Sequence, residues 1–277
     1  MEREQKARVK EWLEKGEIDV FLGYRMFQGH PLPYCFHPGR AHEIQGLTEG
    51  TARYPLVKIA LGMARREPDI RIGLLGRDCD RRALKILAVW NQIDPNRFRT
   101  LDLNCCPSPL KTQAECSYLR PVRSGFLKGI AGVENSLDLD EVEGWGREER
   151  FVRWMHEFQK CIKCYGCRNI CPVCFCSECS LEHPDFIGTG DLPPEVPLFH
   201  LARAVHMAGR CIDCGLCEEA CPVDIPLRLL YRKANEIMKR VFDYAAGTDA
   251  DKPPFSALEE KVTLEPRKID VAQEEGR

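Results

Sequence analysis

Two copies of one cysteine motif constrain this chain more than any other feature. The 277-residue sequence reads C-x2-C-x2-C-x3-C-P at 161–172 and again at 211–222. Eleven of its 16 cysteines fall within residues 161–221. In a chain of this length, with no evident secretion signal, such clustering indicates metal binding rather than a framework of disulfides.

The spacing within each copy is typical of a 4Fe–4S site. Three closely spaced thiolates hold one cubane cluster, whereas the fourth cysteine, followed by proline, ligates the neighbouring cluster. Zinc sites instead favour paired C-x2-C units, so zinc knuckles and free thiols are the weaker interpretations. The sequence therefore predicts two 4Fe–4S clusters. The predicted ligand sets are Cys161, Cys164, Cys167 with Cys221, and Cys211, Cys214, Cys217 with Cys171.

Three further cysteines, Cys174, Cys176 and Cys179, follow the first motif directly. They could hold a third iron–sulfur cluster, or zinc together with His183, or remain unligated as buried thiols. A third iron–sulfur cluster would need a fourth ligand from the N-terminal half. The candidates are Cys79, Cys105 and Cys106, which follow predicted strands, where ligands gather in open α/β sheets.

The hydrophobic pattern divides the chain into an α/β half and a helical half. Alternating strands and helices predict a parallel or mixed sheet in the first half. The predicted elements there are a helix at 2–15, strands at 18–24, 70–75 and 97–104, and helices at 51–66 and 80–93. Helices are predicted at 147–160, 197–210 and 226–245, next to the cysteine motifs. The predicted domains are 1–145 (α/β), 146–245 (α-helical dicluster ferredoxin) and 246–277 (a charged, flexible tail).

Side-chain positions follow from the same patterns. On the helix at 197–210, the apolar stripe of Leu198, Leu201 and Val205 is expected to face the core. Arg81 and Arg82, near the start of the helix at 80–93, are expected on the solvated surface.

Composition narrows the classes of partner and location. Lysine and arginine number 40 against 42 aspartates and glutamates, a net charge of −2 that argues against a nucleic-acid binder. No apolar run approaches the roughly 20 residues that a membrane-spanning helix needs. The charged N-terminal segment has no hydrophobic signal core, so a cytoplasmic location is expected. No G-x-G-x-x-G or G-x4-G-K-[ST] fingerprint of a nucleotide site occurs.

Two stretches carry a resemblance to known families. "IDVFLGY" and "IGLLGRDCDRRALKILAVWNQID", followed by a strand ending in "CC", resemble the beta subunits of deazaflavin-coenzyme-reducing hydrogenases and formate dehydrogenases. "CIKCYGCRNICPVCFCSEC" and "HMAGRCIDCGLCEEACPVDIPLRLL" resemble the helical ferredoxin part of subunits associated with heterodisulfide-reductase-like flavoproteins in anaerobes. The resemblance implies redox partner subunits, and its flavin-using members imply FAD in the first domain.

Two functions are compatible with these features. The first is an electron-transfer subunit between a dehydrogenase or hydrogenase partner and a heterodisulfide-reductase-like flavoprotein, with no substrate of its own. The second is an FAD-containing reductase subunit that reduces a deazaflavin or nicotinamide coenzyme. The first is favoured because the cysteine motifs are complete and no acid–base or nucleophilic constellation is recognisable.

Overall fold

The computed structural model describes residues 1–49, 53–103, 142–188 and 190–248. A mixed sheet flanked by helices forms the first half, and helices connected by cysteine-rich loops form the second. This confirms the predicted fold class. The domain boundaries stay predictions. Cys105, Cys106 and most of the predicted tail lie outside the described residues.

The sheet contains five strands in a mixed arrangement. The elements of this half are α1 (Arg3–Glu14), β1 (Val20–Phe27), β2 (His30–Phe36), β3 (Leu47–Thr48), α2 (Leu56–Arg66), β4 (Ile72–Arg77), α3 (Asp78–Val89) and β5 (Phe98–Leu103). The strand order is β2-β1-β4-β5, with β3 also paired to β1. β1, β4 and β5 are parallel, whereas β2 and β3 run antiparallel to β1.

Both faces of the sheet are covered, which explains its nearly continuous apolar strands. Val20 and Leu22 of β1 point to the side packed by α2 and α3. Phe21, between them, points to the opposite side, where Trp12 and Leu13 of α1 pack. The period-2 alternation of a strand thus supplies two separate hydrophobic clusters.

The second half packs on the outer side of α2 and α3. Its helices are α4 (Arg147–Gln159), α5 (Gly166–Asn169), α6 (Leu198–Met207), α7 (Leu216–Glu219) and α8 (Leu227–Phe242). Phe175 and Ile212, from the two cysteine segments, belong to the same buried cluster as Ala60 of α2 and Ile86 of α3. The cysteine loops are therefore fixed against the α/β half by a shared core.

Within the described ranges, no helix combines the length and the apolar character needed to span a membrane. The cytoplasmic location expected from the sequence stays a prediction.

The face of α6 that packs against the core is opposite to the face predicted from the sequence. Leu198 and Val205 are 45% and 71% exposed, whereas Arg203 is buried. The prediction that the leucine and valine stripe faces the core is wrong. The polar side chain is buried because the cysteine segments supply acceptors for its N–H groups, including the carbonyl oxygen of Cys167 at 3.0 Å.

Candidate metal centre

The two cysteine loops share one backbone conformation. The second and fourth residues after the first cysteine have positive φ in both copies: Lys163 (55°) and Tyr165 (57°), then Asp213 (55°) and Gly215 (76°). A short helix starts at the next residue in each case, as α5 and α7. Such turns direct successive amide N–H groups into one concavity, an arrangement found at many iron–sulfur sites.

In the first loop these amides point at sulfur. The Lys163 amide donates to Cys161 Sγ at 3.4 Å, and the Gly166 amide donates to Cys164 Sγ at 3.5 Å. Because N–H donors stabilise a thiolate over a thiol, and iron binds the thiolate, the loop is suited to hold a cluster. In the second loop the amides of Asp213 and Leu216 lower the pKa of their cysteines in the same way.

The last cysteine of the second motif, Cys221, lies near the first three thiols of the first motif. Burial, together with the neighbouring charges of Cys167, Cys221 and Cys164, raises the pKa of Cys161 to about 11. Cys221 lies 60 residues along the chain from Cys161. We call Cys161, Cys164, Cys167 and Cys221 the outer quartet.

In the second set, three cysteines of the second motif are grouped with one cysteine of the first. Burial, together with the charge of Cys171, raises the pKa of Cys214 to about 12. Burial also raises the pKa of Cys217, and the nearby charges of Cys214, Cys211 and Cys171 act in the same direction. We call Cys171, Cys211, Cys214 and Cys217 the inner quartet. Both groupings match the spacing argument, and the assignment of these thiols as iron ligands stays a prediction.

A close contact between α5 and α7 makes the exchange of cysteines geometrically feasible. A Cβ at Gly166 would lie 3.0 Å from the Ala220 carbonyl oxygen, directly before Cys221. Glycine at 166 therefore allows the first loop to pack on the backbone of the second.

The two quartets differ in their access to solvent. Three inner thiols are buried, whereas the outer quartet has one exposed thiol, Cys164, and three half-buried ones. Electron transfer falls off with distance, so a partner docking from solvent would approach the outer quartet more closely.

Cations of the α/β half hold the cysteine loops through main-chain oxygens. Arg53 donates to the Cys214 carbonyl and pairs with Glu219. Arg82 of α3 donates to the Ile212 carbonyl at 3.1 Å and is buried, so its predicted place on the solvated surface is wrong. Lysine and arginine on a helix usually indicate a solvated face, and the sequence carries no signal that these two reach across a domain boundary.

Replacing Arg53 with methionine is expected to make the reduction potential of the cluster predicted at the inner quartet more negative. A nearby positive charge stabilises the reduced state, and its loss corresponds to roughly 20–60 mV, or about 0.5–1.4 kcal/mol for one electron. A potentiometric titration followed by electron paramagnetic resonance (EPR) measures the shift. Arg53→Lys, which keeps the charge, should shift less; equal potentials in all three proteins would contradict the prediction.

The structure separates the members of the predicted third metal site. Cys174, Cys176 and Cys179 line one cavity. Cys79 is not brought together with them, because it lies beside Cys214 of the inner quartet. Burial raises the pKa of Cys79, and the charges of Asp80 and Cys214 act in the same direction. Cys105 and Cys106 lie outside the described residues. Among the described residues, no three His, Cys, Asp or Glu side chains are arranged around a single metal ion.

Comparisons with known proteins support the iron–sulfur interpretation. Residues 204–226, which contain all four cysteines of the second motif and part of α6, match the 4Fe-4S binding domain family. The chain is 41% identical over 107 residues to the F420-dependent formate dehydrogenase subunit beta of Methanocaldococcus jannaschii, which covers 39% of the chain and 28% of that protein. It is 45% identical over 101 residues to the F420-dependent formate dehydrogenase 1 subunit beta of Methanococcus maripaludis, covering 36% and 26%.

These matches span only about a quarter of each relative's length. They agree with the resemblance seen in the sequence. The chain carries a 4Fe-4S binding domain in its C-terminal part and is a homologue of proteins named as beta subunits of F420-dependent formate dehydrogenases.

Proposed function

We propose that this chain is an iron–sulfur electron-transfer subunit that holds two 4Fe–4S clusters and has no substrate of its own. The observation that supports the proposal is that a cysteine of each motif lies near the thiols of the other: Cys221 acts on Cys161, and Cys171 acts on Cys217. When bound, such a cluster accepts and releases one electron at a time. Ligands exchanged between motifs keep two clusters close together, as a relay requires.

The residues around the quartets hold the ligands and exclude water. The Ile225 amide donates to Cys221 Sγ at 3.4 Å in the outer quartet. On the inner side, the Asn235 side chain donates to the Cys211 carbonyl at 2.6 Å. Rigid ligands and a dry environment limit the reorganisation that accompanies a change of charge.

The proposed relay needs two partner proteins, one that donates electrons and one that accepts them. We expect a dehydrogenase or hydrogenase subunit on one side, supported by the names of the two relatives. On the other side we expect a heterodisulfide-reductase-like flavoprotein, supported by the resemblance of the cysteine segments alone. Anaerobic co-purification from the native cell identifies both partners.

The test of the relay uses the full chain isolated without oxygen. We expect at least eight iron atoms per chain, two reducible cubane signals in EPR, and reoxidation by a one-electron acceptor without turnover of an organic substrate. A colourless, iron-poor chain would refute the proposal. Sustained reduction of an organic acceptor by the isolated chain would also refute it, because a relay has no substrate site.

The alternative is a reductase subunit with FAD in the α/β half, reducing a deazaflavin or nicotinamide coenzyme. The observation in its favour is the word F420-dependent in the names of both relatives. Two measurements distinguish the reductase from the relay: flavin absorbance in the visible range of the non-denatured chain, and flavin released on acid treatment. A flavin-free chain after gentle anaerobic isolation would count against this alternative.

A further inference from the structure

A cavity of about 530 Å³ lies beside the outer face of α2, and the relay uses none of the thiols that line it. Cys174, Cys176 and Cys179 all contribute to its wall. Cys176 is exposed and the other two are half-buried, so the three sulfurs are accessible from the cavity without unfolding of the chain.

Two of these three thiols accept a hydrogen bond from an arginine, and the third lies close to another arginine. The hydrogen bonds are Arg203 Nη1 to Cys174 Sγ at 3.8 Å and Arg210 Nη1 to Cys176 Sγ at 3.9 Å. Arg168, which pairs with Glu182, lies close enough to Cys179 for the two charges to interact. A guanidinium at sulfur favours the thiolate, which is the form that binds metal.

Arg203 indicates that the cavity takes an anion. It is 2% exposed, lines the cavity, and its Nε has no hydrogen-bond partner among the described residues. Within the same ranges, no carboxylate pairs with it. A buried guanidinium needs nearby negative charge, which thiolates at Cys167 and Cys171 of the quartets and at Cys174 of this cavity would supply together.

Arg210 is held in place before any ligand binds. Its guanidinium lies 4.0 Å from the ring centre of Trp90 and 4.7 Å from that of Phe175. The carbonyl of Phe175 also accepts from Arg65 at 2.7 Å, which fixes the cysteine segment against α2. The aromatic contacts keep the donor directed at Cys176 without neutralising its charge.

The wall of the cavity has an excess of positive charge. Five cationic side chains line it against two carboxylates, Glu178 and Glu182, which leaves 5 − 2 = 3 positive charges before histidine is counted. The five cations are Lys58, Arg65, Arg168, Arg203 and Arg210. An anionic cluster held by three thiolates would be stabilised by this excess, although the positive core of the cluster offsets part of the thiolate charge.

We propose that Cys174, Cys176 and Cys179 bind a third iron–sulfur cluster of the cubane type in this cavity, with their arginine partners compensating its negative charge. Three thiolates leave one iron atom without a ligand from this set. The site is thus distinct from the two quartets, in which four thiols meet.

The zinc site predicted from the sequence lacks its expected fourth ligand, because the imidazole that lines the cavity is His206 and not His183. The imidazole of His183, the residue predicted to complete a zinc site, is largely exposed and its Nδ1 lies 3.7 Å from the Asp185 carboxylate. His183 is also absent from the described residues that line the cavity. A structural zinc site needs four donors, whereas a cubane tolerates an iron atom with a ligand that is not protein.

The cavity adjoins both quartets. The charge of Cys174 acts on Cys171 of the inner quartet, and Arg203 bridges Cys174 to the carbonyl of Cys167 in the outer quartet. A cluster here would therefore extend the relay, and this part of the inference rests on the proposed function. The binding of a third cluster does not.

The test is metal analysis of the full chain prepared without oxygen. Wild type should contain about twelve iron atoms, and the triple variant Cys174→Ser/Cys176→Ser/Cys179→Ser about eight, with both quartet signals kept in EPR. Cys35→Ser, a half-buried thiol on β2, serves as the matched control and should keep all the iron. About eight iron atoms in wild type and variant alike would overturn the inference, as would one zinc atom that is lost in the variant.

A second measurement does not depend on how the triple variant folds. Because Cys176 is exposed, it should react rapidly with iodoacetamide if it is unligated. We expect protection in the native, anaerobic chain and rapid alkylation after iron is removed by a chelator, read by mass spectrometry. Rapid alkylation of the iron-loaded wild type would overturn the inference.

The two proposals fail in different ways. If wild type lacks iron altogether, the relay fails. If it contains about eight iron atoms that Cys164→Ser and Cys214→Ser reduce, the relay stands and only the third cluster fails.

Discussion

Replacing Cys171 with serine is expected to remove the same cluster as replacing Cys214, although the two cysteines belong to different motifs. Cys171 lies in the first motif, yet its charge acts on the thiols of the second. The variant should lose about four iron atoms per chain, and the remaining quartet signal should be that of the outer quartet. Iron analysis combined with EPR of the dithionite-reduced chain measures both.

The reciprocal variant sharpens this expectation. Cys221→Ser should give the spectrum of Cys164→Ser, in which only the inner cluster remains of the two quartets. Cys35→Ser should change neither spectrum. If Cys171→Ser instead matched Cys164→Ser, each motif would hold its own cluster, and the exchange of cysteines between motifs would be wrong.

The cysteine pattern predicted the two quartets because ligand spacing is a local property. Two residues separate successive thiols among the first three of each loop, and Lys163 and Asp213 take positive φ angles at equivalent positions of these short loops. The exchange of the fourth cysteine between the motifs was predicted from the proline that follows it, and its role as an iron ligand stays a prediction. The fold class followed similarly from alternating strand and helix patterns.

The antiparallel edge of the sheet was missed for a physical reason. β2 contains Pro31 and Pro33, and proline normally argues against a strand because it lacks an amide donor. In the structure β2 is the edge strand, paired only with β1 among the described elements. An edge strand needs ladder hydrogen bonds on one side only, so the prolines are tolerated there.

The cations that surround the cysteines were also missed, because their partners are distant in sequence. Arg82 and the Ile212 carbonyl are separated by 130 residues. Arg203 lies on the face of α6 that a hydrophobic pattern assigns to solvent. Such a pattern contains no information about the sulfur and carbonyl acceptors that this side chain meets in the folded protein. Burial of these side chains depends on the fold of the other half, which local spacing does not encode.

Replacing Arg228 with methionine is expected to lower the free energy of unfolding by about 2–4 kcal/mol. The side chain is 1% exposed and forms a two-point ion pair with Asp213, with Nε to Oδ1 at 2.5 Å and Nη2 to Oδ2 at 2.9 Å. Removing one member of a buried pair costs about 3–5 kcal/mol when the other charge is left uncompensated. The lower range applies because the Asp213 side chain is 20% exposed and keeps a longer contact with Arg232, at 3.7 Å. Denaturant titration of the iron-loaded chain measures the change.

Asp213 connects this stability to the metal centre, since it lies between Cys211 and Cys214 and its amide donates to Cys211. Arg228→Met should therefore also release iron from the inner quartet sooner than from the outer one when a chelator is added.

The double variant Arg228→Met/Asp213→Asn should regain part of the lost stability, because asparagine removes the orphaned charge and tolerates the positive φ at this position. Lys239→Met, which breaks an exposed pair with Asp243 at the end of α8, is the control and should leave both stability and iron release unchanged. Equal unfolding curves for wild type and Arg228→Met would show that the ion pair does not hold the second loop in place.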